Sequence, residues 1–351
     1  MGLEHHGVTM AETKPLGQSI TPASTGIIAM LAKGKRVDNE AAANYVVVQN
    51  LAEAKKYFEG DILKYLTAIF YESSGPVLAK ALAKAPTKTE VEAMHTCVSD
   101  TGLIPNILVC PEKSSEFPEA LAMHAKNFGA LALIDLAGKA ETPSTNPYCY
   151  YLWSNLRVND EMIPAACSTA GLLRSYNFWE SPSNKVFSGV TGIETPVQWA
   201  LNKQQGSDLE TEADKLNKEN KTVFINVDGI RPWGNRMGGT SGNGQFLSVY
   251  RLKNAISESI SKSMQWAIDE NISKPLIMAV LESVNNYLRD LKSQGAILGG
   301  SCTAPSDKNP PDKVKEGKVS FDYEFTPTYP AEQITFTMSI TDERLKEVFN
   351  V

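Results

Sequence analysis

The chain has 351 residues, of which 42% are hydrophobic and 21% are charged, and its formal net charge is −6. This composition is typical of an ordinary globular protein of two or three domains, and an acidic chain is not expected to be a general nucleic-acid binder. Five scattered cysteines exclude a disulfide framework and indicate a reducing cytoplasm. No apolar run approaches the roughly 20 residues of a membrane-spanning helix, so no membrane insertion is expected.

The first 22 residues read as an extended arm. They are interrupted by prolines and glycines and are too short to form a core of their own. Val8 and Met10 alternate with a polar residue, which gives the arm some β character. Two interpretations stay open: a strand that is donated to a neighbouring chain, or a disordered terminus.

From residue 23 the pattern alternates between strands and helices. Short apolar runs predict strands at residues 26–31, 45–48, 105–110, 130–134 and 148–153. Apolar spacings of three and four predict helices within 51–70, with a break near Gly60, and at 119–127 and 165–174. This order indicates the α/β (α+β) class, with a mixed, largely parallel sheet flanked by helices.

The composition changes at residues 176–186, where aromatic residues, serines and a proline replace the apolar periodicity. We place a domain boundary there. Beyond it the pattern predicts a helix near 208–217, a strand at 222–227 and then two long amphipathic helices. The second of these helices ends at Gly295 with Arg289 and Lys292 in its last turn, where positive charge complements the helix dipole.

Two stretches of strict alternation close the chain. Val319, Phe321, Tyr323 and Phe325 alternate with polar residues, and so do Ile334, Phe336, Met338 and Ile340. The linker between them carries Pro327 and Pro330, which favours an extended excursion over a tight hairpin. The second segment is therefore free to pair elsewhere, including on another chain.

No motif in the sequence composes an active site. The glycine-rich run 238–244 lacks the Gly-Lys-Ser/Thr ending of a phosphate-binding loop, and the four histidines do not lie at metal-ligand spacing. Cys167 does not lie in a nucleophile elbow. We therefore predict no catalytic residue, no metal site and no cofactor. One alternative stays open, namely a cytosolic α/β enzyme with a pocket near 238–244.

One motif resembles a known family. Trp233, Gly234, Asn235 and Arg236 follow a strand that ends in Asp-Gly-Ile-Arg, which is similar to the tail sheath proteins of contractile phage tails and R-type bacteriocins. Residues 6–8 and 26–28, 178–192, 266–269, 288–296 and 317–332 resemble other parts of that family in the same order. The sequence departs from the family at Met237, where relatives usually carry Thr.

The resemblance implies a two-domain sheath subunit that polymerises as stacked six-fold rings around an inner tail tube and contracts to drive the tube through a cell envelope. It implies that the N- and C-terminal arms donate strands, through Val8 and Met10 and through Ile334, Phe336, Met338 and Ile340. The acceptor strand would be the one that carries Val319, Phe321, Tyr323 and Phe325. Arg289 and Lys292 would contact an acidic tube.

The implied domains are an arm at 1–22, an outer variable domain at 23–186, an inner tube-facing domain at 187–325 and a donated C-terminal arm at 326–351. Expected partners are further copies of the chain, the tail tube, baseplate and tail terminator proteins. The protein would assemble in the bacterial host cytoplasm and end in the tail sheath of the released particle. We expect a structural protein, with contraction driven by a kinetically trapped state. The alternative within this class is a static tail or baseplate adaptor.

Overall fold

The computed structural model describes residues 17–37, 44–136, 145–199, 210–239 and 246–345. Its strands are β1 (Ile28–Lys33), β2 (Lys35–Arg36), β3 (Val46–Val48), β4 (Phe58–Glu59), β5 (Val77–Leu82), β6 (Ile107–Val109), β7 (Leu131–Asp135), β8 (Cys149–Leu152), β9 (Leu156–Val158), β10 (Glu161–Ile163), β11 (Gly192–Ile193), β12 (Lys221–Asn226), β13 (Ile230–Trp233), β14 (Ile297–Thr303) and β15 (Asp322–Pro327). Its α-helices are α1 (Leu51–Tyr57), α2 (Asp61–Glu72), α3 (Lys88–Glu92), α4 (Thr96–Thr101), α5 (Phe117–Phe128), α6 (Ala165–Ser175), α7 (Glu212–Lys218), α8 (Leu247–Ser263), α9 (Lys274–Ser293) and α10 (Pro311–Lys315).

An eight-stranded sheet organises the first part of the chain, in the order β13-β12-β8-β7-β6-β1-β5-β3. The six inner strands run parallel, whereas β3 and β13 run antiparallel at the two edges. Five of the six residues of β1 are buried, as expected for a parallel strand that is covered on both faces. The predicted mixed sheet flanked by helices is confirmed.

Helices cover the two faces of this sheet and create two apolar cores. One core includes α2 and α6, and the other includes α3 and α5. The small residues of α6 let it approach α2 closely, since a Cβ at Gly171 would lie 2.3 Å from the carbonyl oxygen of Ile69. This close contact explains why the sequence of α6 is rich in small residues.

A third core lies beside the sheet and is built from α8, α9 and the β14–β15 pair. Ile256, Val284 and Leu288 are its buried centre, and Ile20 from the N-terminal segment packs into it. Helix α9 begins at the N-cap Ser273, whose side chain accepts from the amide of Leu276, and its axis ends where Gly295 takes a positive φ of 79°. Helix α9 therefore ends beside Gly295, as the sequence predicts.

The sheet does not stop at the boundary that the sequence suggests. Strands β12 and β13 follow residue 186 in the chain, yet β12 pairs in parallel with β8 and β13 pairs with β12. The sheet therefore continues to Trp233, and the texture change at 176–186 marks a surface crossing and not an edge of the sheet. Aromatic and proline-rich composition marks loops as readily as it marks linkers between domains.

A buried carboxylate closes the end of β7. Asp135 is 9% exposed and accepts hydrogen bonds from the backbone amide of Ala166, at the start of α6, at 3.2 and 3.3 Å. Burial removes water from this carboxylate and raises the pKa of Asp135 to about 7. The ionised form is therefore destabilised in the folded protein.

We expect Asp135 to make the protein less stable as pH rises. The folded state holds the Asp135 proton up to about pH 7 whereas the unfolded chain loses it near pH 4, so the free energy of unfolding falls across that range. The Asp135→Asn variant keeps an oxygen for the Ala166 amide without the charge. Urea unfolding should show it gaining on the order of 2–4 kcal/mol over the wild type at pH 8, and less at pH 5. Asp312→Asn, at an exposed carboxylate, is the control; an equal gain at both pH values would contradict the prediction.

Candidate assembly interface

The predicted acceptor strand, β15, is one of the two strands of a small antiparallel sheet. Strand β15 begins at Asp322, so Tyr323 and Phe325 lie in the strand whereas Val319 and Phe321 lie just before it. It pairs antiparallel with β14, in a register that places Cys302 opposite Tyr323 and Gly300 opposite Phe325. A Cβ at Gly300 would lie 2.7 Å from the carbonyl oxygen of Glu324 and 3.0 Å from the Cβ of Phe325, so glycine lets β14 approach β15 closely here.

The chain after β15 is tied down at three points. The amide and hydroxyl of Thr328 both donate to the carbonyl of Ala296, at 3.3 and 3.0 Å. The ring of Tyr329 lies edge-on to Phe246, with centroids 5.9 Å apart. Glu332 then receives both arms of the Arg236 guanidinium, with Nε 3.2 Å from Oε1. The linker therefore follows a fixed course to residue 332.

Beyond this point the C-terminal segment leaves the surface. Ile334, Phe336, Met338 and Ile340 are 67%, 91%, 81% and 89% exposed. No strand is formed at 334–340 in the described part of the chain, so the second predicted strand does not pair within the subunit. The other predicted donor residues, Val8 and Met10, lie outside the described residues.

The motif at 233–236 joins several elements at the base of this arm. The indole of Trp233 packs against Trp199, with centroids 6.3 Å apart. The carbonyl of Gly234 accepts from the Tyr150 hydroxyl at 2.8 Å, while its amide donates to Ser183 at 3.2 Å. A Cβ at Gly234, where φ is 152°, would lie 2.8 Å from the hydroxyl of Thr222, so this position requires glycine.

The last two motif residues, Asn235 and Arg236, contact the segment 176–186 and the C-terminal arm. Asn235 accepts a hydrogen bond from Ser181, and its carbonyl accepts from the amide of Leu247, the first residue of α8, at 2.9 Å. The Arg236 guanidinium lies 4.9 Å from the centroid of the Phe246 ring and clasps Glu332. The motif thus connects the central sheet, helix α8 and the C-terminal arm. Each of its four residues makes one of these structural contacts.

A polar cleft of about 990 Å³ opens beside this motif. It lies between α7, β12 and residues 330–333 of the arm, and its charged side chains include the ion pairs Lys218–Glu210 and Arg236–Glu332. Gly238 and Gly239 are the described part of the glycine run, and neither of them lines the cleft. Within the described ranges no three His, Cys, Asp or Glu side chains gather as a metal site. Most of the predicted pocket at 238–244 lies outside the described residues.

The predicted tube contacts lie on the exposed face of α9. Both Arg289 and Lys292 are exposed, and Arg289 donates to Asn286 one turn earlier. Neither side chain forms an ion pair with any residue of the described chain, so both charges face solvent. None of the described helices is both long enough and apolar enough to cross a membrane.

Comparison with known proteins gives this architecture a class. Residues 244–341 match the phage tail sheath C-terminal domain. The chain is 29% identical to a putative prophage major tail sheath protein of Pseudomonas aeruginosa over 77% of its length and 67% of the relative. It is 26% identical to the tail sheath protein of Escherichia phage P2, over 97% of this chain and 96% of that one.

Solved structures share the fold. A chain of the anti-feeding prophage baseplate superposes with a TM-score of 0.78 at 19% identity, over 95% of this chain and 98% of that chain. The helical sheath of the anti-feeding prophage in its contracted state gives a TM-score of 0.77 at 20% identity, with the same two coverages. The protein therefore has the α/β fold of contractile sheath subunits. The resemblance to the contractile tail sheath proteins that the sequence motifs indicate is confirmed by these similarities.

We predict that breaking the Arg236–Glu332 clasp frees the arm without unfolding the protein. The two side chains are 37% and 32% exposed, so the pair contributes only about 1 kcal/mol. In Glu332→Ala, the Thr328 amide, which donates to the carbonyl of Ala296, should exchange hydrogen faster, with little change in melting temperature. Glu316→Ala, which removes the exposed Lys318–Glu316 pair, is the matched control. Unchanged exchange of the Thr328 amide would show that the ion pair does not hold the linker.

Proposed function

We propose that this chain is the repeating subunit of a contractile tail sheath, which polymerises as stacked six-fold rings around an inner tail tube and contracts to drive the tube through a cell envelope. The observation that carries the proposal is the C-terminal segment 334–340, an alternating apolar segment that its own subunit leaves exposed. An apolar strand without a partner in its own subunit is suited to a partner in another copy.

Strand donation gives this segment a partner. When it adds to the β14–β15 sheet of a neighbouring copy, backbone hydrogen bonds supply affinity and the alternate side chains enter pockets. Burial of Ile334, Phe336, Met338 and Ile340 contributes about 1.5–3 kcal/mol each before the cost of ordering the segment. The strand that bears Tyr323 and Phe325, preceded by Val319 and Phe321, acts as the acceptor. The N-terminal arm, with Val8 and Met10, joins the same network.

Exchange of arms between unlike surfaces is a heterologous contact. Such contacts need not close into a ring, and their repetition then builds a helical tube. The linker keeps the donated strand at a high effective concentration near its acceptor, and the network therefore stays joined while subunits rotate and slide. Contraction then releases energy that is stored in a kinetically trapped extended state.

The inner surface of the tube of subunits is formed by the part of the chain that carries α9. Arg289 and Lys292 make weak contacts to an acidic tail tube there, and the sheet-containing first part of the chain faces outward. Baseplate and tail terminator proteins contact the two ends of the polymer. Assembly takes place in the cytoplasm of the bacterial host.

A static baseplate adaptor is the second candidate, because the chain also superposes on a chain of the anti-feeding prophage baseplate. An adaptor would bind at one level of the particle and would not polymerise. Negative-stain electron microscopy of the purified protein, with and without its tail tube, separates the two. Striated hollow cylinders support the sheath, and small discrete particles in both samples support the adaptor.

We expect polymer growth to depend on one face of the C-terminal segment. Phe336→Asp places a charge on the apolar face that the donated strand buries, so it should abolish cylinders in electron micrographs while the subunit melts at the wild-type temperature. Thr337→Asp, one residue along on the polar face, should leave cylinders intact. Deletion of 334–351 should behave like Phe336→Asp, and normal cylinders from the deletion would overturn strand donation.

We expect the two exposed cations of α9 to govern binding to the tube and not self-assembly. The double variant Arg289→Glu, Lys292→Glu should still form cylinders yet co-sediment with tail tube at least about tenfold less, because opposite charges across an interface become like charges. Added salt should weaken the wild-type contact. Lys253→Glu, at an exposed lysine of α8, is the control. Equal tube binding by all three proteins would place the tube elsewhere.

A further inference from the structure

The two outer edges of the β14–β15 sheet differ in their hydrogen bonding. At the β14 edge, the side chain of Asn285 lies against the backbone of Cys302. Its Oδ1 accepts from the Cys302 amide at 2.9 Å, and its Nδ2 donates to the Cys302 carbonyl at 3.1 Å. The same Nδ2 donates to the carbonyl of Leu281 one turn earlier in α9, at 2.8 Å, which fixes the amide in place. Asn285 thus binds β14 as the backbone of another strand would.

The register then determines which backbone groups point outward. In an antiparallel pair, successive residues turn their N–H and C=O groups alternately toward the partner strand and away from it. Cys302 gives both groups to Asn285, so it faces away from β15, and so does its neighbour in phase, Gly300. Opposite these residues are Tyr323 and Phe325. These two residues therefore turn their own backbone groups away from β14, toward the outer edge of β15.

An independent contact supports this phase. Asn309, in the connection between the two strands, accepts from the Ser320 amide at 2.7 Å and donates to the Ser320 carbonyl at 2.9 Å. Ser320 is in phase with Asp322 and Glu324, so these residues face inward and Phe321, Tyr323 and Phe325 face outward. No residue of the described chain forms a backbone hydrogen bond with the outward groups of these three residues. The β15 edge is therefore open from Phe321 to Phe325.

We infer that Asn285 seals the β14 edge, so that this sheet accepts a strand from a second copy of the chain only along β15. The inference rests on the proposed function and adds which edge of the acceptor sheet receives the donated strand. A sheet with two open edges could accept two C-terminal segments and branch the polymer, whereas a sheet with one open edge gives each subunit a single acceptor. A further donated strand, such as the N-terminal one, then pairs with the outer side of the first strand and not with β14.

The linker contacts agree with exchange between copies. Thr328 is bonded to Ala296 and Glu332 to Arg236, so the arm is led from the third core to the motif beside the central sheet before it becomes free. The free segment thus begins at the motif and not beside its own β15. The open edge is left for the segment of a second copy.

Hydrogen exchange of single amides tests the inference in assembled full-length cylinders, with the non-assembling Phe336→Asp protein as the reference. We expect the Tyr323 and Phe325 amides to exchange at least about tenfold more slowly in cylinders. The Gly300 amide, on the sealed side, should exchange equally in both. Protection of Gly300 on assembly, with or without protection of Tyr323 and Phe325, would overturn the inference. Failure of the wild type to form any polymer would instead overturn the proposed function, and the inference with it.

The Asn285→Ala variant gives a second, opposite test. It frees the backbone of Cys302, so Gly300 should become protected on assembly and electron micrographs should show branched or irregular polymers. Asn286→Ala, the neighbouring residue of α9, should form regular cylinders. Regular cylinders from Asn285→Ala with unprotected Gly300 would contradict the sealing role. Where Asn285→Ala does not fold, as judged by its melting curve, the wild-type exchange pattern decides alone.

Discussion

Helix α8 is the element on which the rest of the structure depends, because two cores share it. Its first turns enter the core of the central sheet, where Leu247 is fully buried and the Tyr250 hydroxyl donates to the Ala130 carbonyl at 2.7 Å. The next turns supply Leu252 and Ile256 to the third core. A sharp kink between these cores would cost the helix some of its own hydrogen bonds. Helix α8 therefore couples the packing of the sheet to that of the helical pair.

A buried arginine reinforces this connection. The guanidinium of Arg251 donates to the Leu173 carbonyl at the end of α6, at 2.9 Å, and burial lowers the pKa of Arg251 to about 10, which leaves it charged at neutral pH. Carbonyls at a helix C-terminus carry partial negative charge and compensate part of the desolvation. By contrast, the contacts of the C-terminal linker are exposed and individually weak. The contacts that join the cores within the subunit are thus more deeply buried than those that hold the linker.

Periodicity in the sequence predicted most of the central strands and helices, since each of those segments is long and has one or two buried faces. It missed β14, because a strand that contains Gly299 and Gly300 has no apolar alternation. Only the structure shows that Gly300 lies too close to β15 for a side chain. It also missed the continuation of the sheet into β12 and β13. Strand order is a tertiary property, and a change of composition at 176–186 carries no information about it.

The interface shows the same division between local and tertiary information. The alternation at 334–340 is visible in the sequence because the strand face is a local property, and the subunit does not use that face itself. An apolar period without a partner in its own fold is therefore a sequence signal of assembly. The role of Asn285 leaves no such signal, because an asparagine on a helix acquires it only when a strand edge lies 2.9 Å away. Sequence periodicity can thus identify a segment that its own subunit leaves unpaired, whereas only the packed structure shows which strand edges are open.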